Sequence, residues 1–294
     1  GIDITHPDFS DLKISGFRDF YSEDHYNIRD IGDNSHGTLM AGILVANQTF
    51  VGAAPEVSLS VAISLGPSGQ SGQEDMVSQA IRWCRITQNA DIISLSLGAN
   101  PGEGMDDESE TVIAVQEALD AGIFVVAAAG NTGSDDDIND VSIPANIDGV
   151  ISVAATNKNG VIWKDSATGA TLDPYSDSER LFPNQKPEIS APGVRIFSTY
   201  ASTNDDALHA YSSGTSDSTV LVTGALALIL EKYGEQIAGD DGKIDFEEII
   251  LVKVALAKSA ESDKQDSIHD LQRGYGQLNA ISWGEQIAIE FNIN

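Results

Sequence analysis

The chain has 294 residues, 41% of them apolar, enough to bury one large core and too many for a disordered polypeptide. Its 16 Lys and Arg face 45 Asp and Glu, and the resulting net charge of −29 excludes nucleic acid and anionic membranes as partners. The single cysteine, Cys84, excludes an internal disulfide, and no apolar run reaches the length of a membrane span.

The chain opens Gly1-Ile-Asp-Ile-Thr-His-Pro-Asp8, without an initiator Met, a basic leader or a signal-type apolar run. Asn34-Ser-His36-Gly-Thr-Leu-Met-Ala-Gly42 reads as a histidine leading a helix of small residues. Val57 to Ser64 reads as a strand and Asp75 to Asn89 as an amphipathic helix. There Cys84 joins Met76, Val77, Ala80 and Ile81 on the apolar face, as a core residue rather than a reactive thiol. A buried strand from Asp91 to Leu97 follows, then a helix from about Glu108 to Ala121 and a strand from Ile123 to Ala128. The last of these runs into Gly130-Asn131, and a further strand spans Val150 to Ala154.

This alternation predicts an α/β fold, a three-layer sandwich with a mostly parallel central sheet and helices on both faces. In such sheets reactive groups gather at the carboxyl ends of strands, the position that Asn131 takes. Further on, Tyr211-Ser-Ser-Gly-Thr-Ser216 leads into the apolar stretch Val220 to Leu230. A serine at the start of a helix meets unpaired N–H groups and the positive end of the dipole, favourable for an attacking oxygen and a developing oxyanion. Gly239 to Glu248 resembles half of an EF-hand loop, but Ile237 and Gly239 fall where the first two ligands belong. It is therefore read as a turn capping a helix from Phe246 to Ala260. No internal repeat or linker-like break divides the chain, so residues 1–294 are expected to form a single domain.

The motifs around His36, Asn131 and Ser216, in that order, resemble those of the subtilisin-like serine proteases, the subtilases. That family writes them His-Gly-Thr-His-Val-Ala-Gly, Ala-Ala-Gly-Asn and Gly-Thr-Ser-Met-Ala. The likeness extends to Gly1–Asp8, Ile93-Ser-Leu-Ser-Leu-Gly98, Lys186-Pro-Glu-Ile-Ser-Ala-Pro-Gly193 and Gly274-Tyr-Gly-Gln-Leu-Asn-Ala280, collinear over nearly the whole chain.

The resemblance implies a serine endopeptidase with Ser216 as nucleophile, His36 as general base and Asn131 as oxyanion donor. It implies that Ser96, Leu97, Gly98 and Ala128, Ala129, Gly130 form two walls of the pocket for the residue before the cleaved bond, against which a polypeptide lies extended. His6 matches a structural position; His25, His209 and His269 have no such context. The chemistry requires no organic cofactor, and structural calcium, common among subtilases, is an open expectation for the acidic stretches Asp106-Asp-Glu-Ser-Glu110, Asp135-Asp-Asp137 and Asp205-Asp206. No metal ligand is assigned. The resemblance further implies a monomer, a propeptide that assists folding, and a secreted or extracytoplasmic setting.

Three departures stand out. The family's triad aspartate lies two residues before Gly1, so a truncated chain is expected, and Asp3 and Asp33 match other positions. Asp217 stands where the family usually has Met and Val220 where it has Pro; Asp217 is expected to raise the pKa of His36 and to disfavour acidic residues on the leaving-group side. Asp135–Asp137, if they reach the pocket rim, would select Lys or Arg before the cleaved bond; otherwise an apolar residue is expected. Read without the family, Gly-Thr-Ser is a common helix cap, and His36 and Asn131 are residues with structural hydrogen bonds. The alternative function is a catalytically impaired subtilase-fold module that binds peptides without cutting them.

Overall fold

The computed structural model describes residues 1–69, 74–100, 109–135, 140–201, 207–262 and 269–293, apart from the side chains of 74 and 75. The acidic residues 106–108, 136–137 and 205–206 lie outside the described residues. In chain order the elements are β1 (Lys13–Asp19), α1 (His36–Val45), β2 (Ser58–Ile63), α2 (Glu74–Ile86), β3 (Ile92–Leu95), α3 (Glu110–Asp120), β4 (Phe124–Ala128) and β5 (Ile151–Thr156). They continue with β6 (Ile189–Pro192), β7 (Val194–Thr199), β8 (His209–Ser213), α4 (Thr215–Ile237), α5 (Phe246–Ser259) and α6 (Ala280–Glu290).

Strands β3, β4, β5 and β6 form a parallel sheet in chain order, with Ser94 opposite Val126, Ala127 opposite Ser152 and Ala154 opposite Ser190. Every residue of β4 and β5 is buried, as expected of parallel strands covered on both faces. The helix α4 packs across all four strands, and α3, paired with α2, covers β4 to complete a three-layer α/β fold. Phe124, Val126, Ile151, Leu226 and Trp283 belong to the main core. Cys84 packs at its edge, and burial raises its thiol pKa to about 11, consistent with an inert packing residue.

The strands β1 and β2 form a separate parallel pair, and β7 and β8 an antiparallel hairpin that delivers the chain to α4. A groove of about 1920 Å³ runs between β2 and β3, lined by Ser58 to Leu65 on one side and Asp91 to Gly98 on the other. No helix among the described residues is long and apolar enough to cross a membrane.

Three polar clusters fix the framework. Lys186 and Lys253 are fully buried and share one oxygen of Glu188, each at 2.8 Å, while the other oxygen accepts the Ser152 N–H. Burial and the second ammonium pull Lys186 down to about 8, against the attraction of Glu188. Arg180 grips Asp140 through two buried hydrogen bonds of 2.9 and 2.8 Å. Near the N-terminus, His6 Nε2 lies 2.6 Å from the Leu208 carbonyl and His209 Nε2 lies 2.8 Å from Asp8. Burial pushes the Asp8 carboxyl up, but bonds from His209 and Thr49 outweigh it and hold the pKa below its ordinary value. Asp245 and Glu248 form a reciprocal capping box at the start of α5.

Candidate active site

His36 is the first residue of α1, preceded by Ser35 in the left-handed region at φ 53°. The turn is fixed by Asp30, which accepts the Thr38 N–H at 2.9 Å and the Thr38 hydroxyl at 2.6 Å. Gly37 is required by close approach: a β-carbon there would run into the carbonyl of Gly1. The residue is exposed along the groove, and the protein packed around its ring lowers its pKa by partial desolvation. Asp30 opposes the lowering.

At the end of β4, Gly130 turns the chain at φ 110°, a conformation open to glycine, and a β-carbon there would collide with the Ser142 hydroxyl. The turn delivers Asn131, whose side-chain carbonyl accepts the Thr215 N–H at 3.0 Å and the Thr215 hydroxyl at 2.9 Å. With its oxygen held there, the Asn131 amide nitrogen is left to donate. Thr215 also receives the Gly130 N–H at 3.2 Å, tying the strand end to the start of α4.

Ser216 is the second residue of α4, where backbone N–H groups lack helical partners. It forms a reciprocal pair with Ser96: the Ser216 hydroxyl donates to the Ser96 carbonyl at 3.3 Å and the Ser96 hydroxyl to the Ser216 carbonyl at 3.2 Å. No hydrogen bond joins Ser216 to His36 in this structure, although His36, Asn131 and Ser216 line the same groove. Apo sites often tighten such contacts only with substrate.

Ser96, Leu97, Gly98, Ala128 and Gly130 also line the groove. Ala129 does not: it is fully buried, its N–H bonded to Val153 and its carbonyl to the Ser142 N–H, because alternate residues leaving a buried strand point away from one another. Asp135 is exposed to solvent.

The expectation that Asp217 raises the pKa of His36 is corrected. The His36 value is lowered, and Asp217 is not among the charges that act on it. The carboxyl of Asp217 is buried and turned to the Ser212 hydroxyl, 3.1 Å away.

The sequence reading missed Thr215 as the holder of Asn131, Asp30 as the anchor of the His36 turn, and Ser142, which fills the space between Gly98 and Gly130. Only Thr215 carried a signal, its position beside the serine. Among the described residues no group of three or more His, Cys, Asp or Glu side chains is arranged to hold a metal ion.

The sequence matches the profile of the Subtilase family over residues 1–276. It is 39% identical to subtilisin DY of Bacillus licheniformis over 237 residues, 79% of this chain and 74% of that protein. Over 241 residues it is 34% identical to the major intracellular serine protease of Bacillus subtilis (strain 168), covering 80% and 67% of the two chains. Other relatives are longer, with the match spanning 54% of their length. Among solved structures, the prenylagaramide maturation protease PagA superimposes with a TM-score of 0.72 at 25% identity, covering 98% of this chain and 90% of that one.

Proposed function

The chain belongs to the subtilase family of serine endopeptidases, and we propose that it hydrolyses peptide bonds through an acyl-enzyme on Ser216. The Ser216 oxygen attacks the peptide carbonyl carbon as its proton passes to His36. The carbonyl oxygen takes the negative charge and receives hydrogen bonds from the Asn131 amide and the Ser216 backbone N–H. When the C–N bond breaks, His36 returns the proton to the departing amine, and water then releases the acyl group by the same route. The observation that carries this reading is the hold of Thr215 on Asn131: it orients an amide beside the neighbouring serine, in a groove shared with a histidine.

A polypeptide would lie along Ser96, Leu97 and Gly98, with the side chain before the cleaved bond between them and Ala128 and Gly130, where an apolar residue fits best. Gly1 packs directly on Gly37, next to His36, so the family's aspartate two residues earlier would fall within reach of the imidazole. We take the chain as one catalytic domain working as a monomer without an organic cofactor. We keep a structural calcium ion, a folding propeptide and a secreted setting as parts of the proposal drawn from resemblance, although the Bacillus subtilis relative is named intracellular.

The test is labelling by a fluorophosphonate, on the chain as given and with aspartate supplied two residues before Gly1. Labelling confined to Ser216, lost in Ser216→Ala and faster with the aspartate, is the expected result. Peptide binding without labelling in either form would favour the non-catalytic module instead.

A further inference from the structure

Asp217 directly follows the nucleophile in the first turn of α4 and is 1% exposed. One carboxyl oxygen accepts the Ser212 hydroxyl at 3.1 Å; the other is buried without a hydrogen-bond partner. An ionised carboxylate in that state forgoes solvation on one oxygen entirely, whereas a protonated one avoids most of the cost.

The carboxyl also flanks the oxyanion donor. A β-carbon built on Gly214 would lie 3.5 Å from one Asp217 oxygen and 3.7 Å from the Asn131 amide nitrogen, so the two groups sit within about 7 Å of each other across one glycine. A negative charge there would oppose the charge that develops on the substrate oxygen during attack.

We propose that Asp217 is a positioning residue that serves the serine chemistry only as the neutral acid, so that the site carries its own alkaline cut-off. This rests on the proposed serine mechanism and adds a regulation to it.

The surroundings leave the proton balance to Asp217 itself. The titratable side chains on elements packed against α4 are His36 on α1, His209 and Tyr211 on β8, and Glu285 and Glu290 on α6; the four sheet strands carry none. None of them acts on the carboxyl. Burial lifts its pKa, to about 7, against the bonds from Ser212 and its own backbone and the positive end of the α4 dipole.

The experiment measures the rate of Ser216 labelling and of peptide cleavage from acid to alkaline pH. In the wild type both should fall roughly tenfold or more as Asp217 ionises. Asp217→Asn, which copies the neutral acid, should be faster than the wild type above neutral pH and show no such fall. Ser212→Ala removes a bond that favours the ionised form and should move the fall to higher pH. An alkaline fall of the same size and position in all three proteins would overturn the proposal. Should none of them label or cleave at any pH, the serine mechanism itself fails and this inference goes with it. A difference between the Asn variant and the wild type confined to thermal stability, with superimposable rate profiles, would also overturn it.

Discussion

Thr215 holds the side-chain carbonyl of Asn131 with two donors at once, its backbone N–H at 3.0 Å and its hydroxyl at 2.9 Å. The Asn131 amide is therefore aimed by the residue before Ser216, and a shift of one carries the other along. Asn131→Ala should lower turnover by about 10²–10³, the loss known for the equivalent amide in subtilisin itself. Thr215→Val keeps the N–H and deletes the hydroxyl, so a smaller loss, on the order of tenfold, is expected, falling on kcat rather than KM. Steady-state kinetics on one peptide substrate would separate the two effects.

In the proposed mechanism His36 must be neutral to accept the Ser216 proton, and desolvation lowers its pKa. The acid limb of the pH–rate profile should therefore lie below the ordinary imidazole range. Because Asp30 is the one group that raises the value, Asp30→Asn should move the limb to still lower pH. A limb that moves upward in this variant would contradict the assignment.

Ser142 lies where β-carbons on Gly98 and Gly130 would need to go, between the two walls of the proposed substrate pocket. Ser142→Leu should fill that space and penalise large apolar residues before the cleaved bond relative to Ala by at least tenfold. Cleavage-site profiling on a peptide library reads this directly.

Glu188 serves two buried lysines. Glu188→Gln leaves two ammonium groups facing each other without a countercharge and should cost about 3–5 kcal/mol of stability. Lys186→Met removes the surplus positive charge and should cost markedly less, despite losing bonds to the Ile147 and Val150 carbonyls. With its folded pKa pulled down to about 8, Lys186 burdens the fold below that value. That burden lifts as pH rises towards the ordinary lysine range, so the wild type gains stability there and the cost of the Met variant should grow. Chemical denaturation at two pH values tests both statements.

Elements that face the core on all sides, or on one clear stripe, were legible in the sequence. Phe124–Ala128 is an unbroken apolar run, and the α4 region keeps its apolar pattern through Leu230. The edges were not. Lys13–Asp19 carries charge and glycine on a half-exposed strand, and the β7–β8 hairpin alternates exposed Phe197 and Tyr211 with buried Ser198 and Thr199, so hydrophobicity does not mark its inner face. In the site, His36, Asn131 and Ser216 were visible because each sits in a run of small residues at the end of an element. Ser142 and Asp30 were not, since their roles depend on contacts with distant glycines and a helix turn that spacing alone does not reveal.

The ties from His6 to Leu208 and from Asp8 to His209 join the segment that lays Gly1 against Gly37 to the hairpin that leads into Ser216. The proposed base and nucleophile thus share a brace away from the groove. Because its hydrogen bonds hold the Asp8 carboxyl below its ordinary pKa, the tie to His209 should persist as pH falls through the usual carboxylate range and give way only in stronger acid.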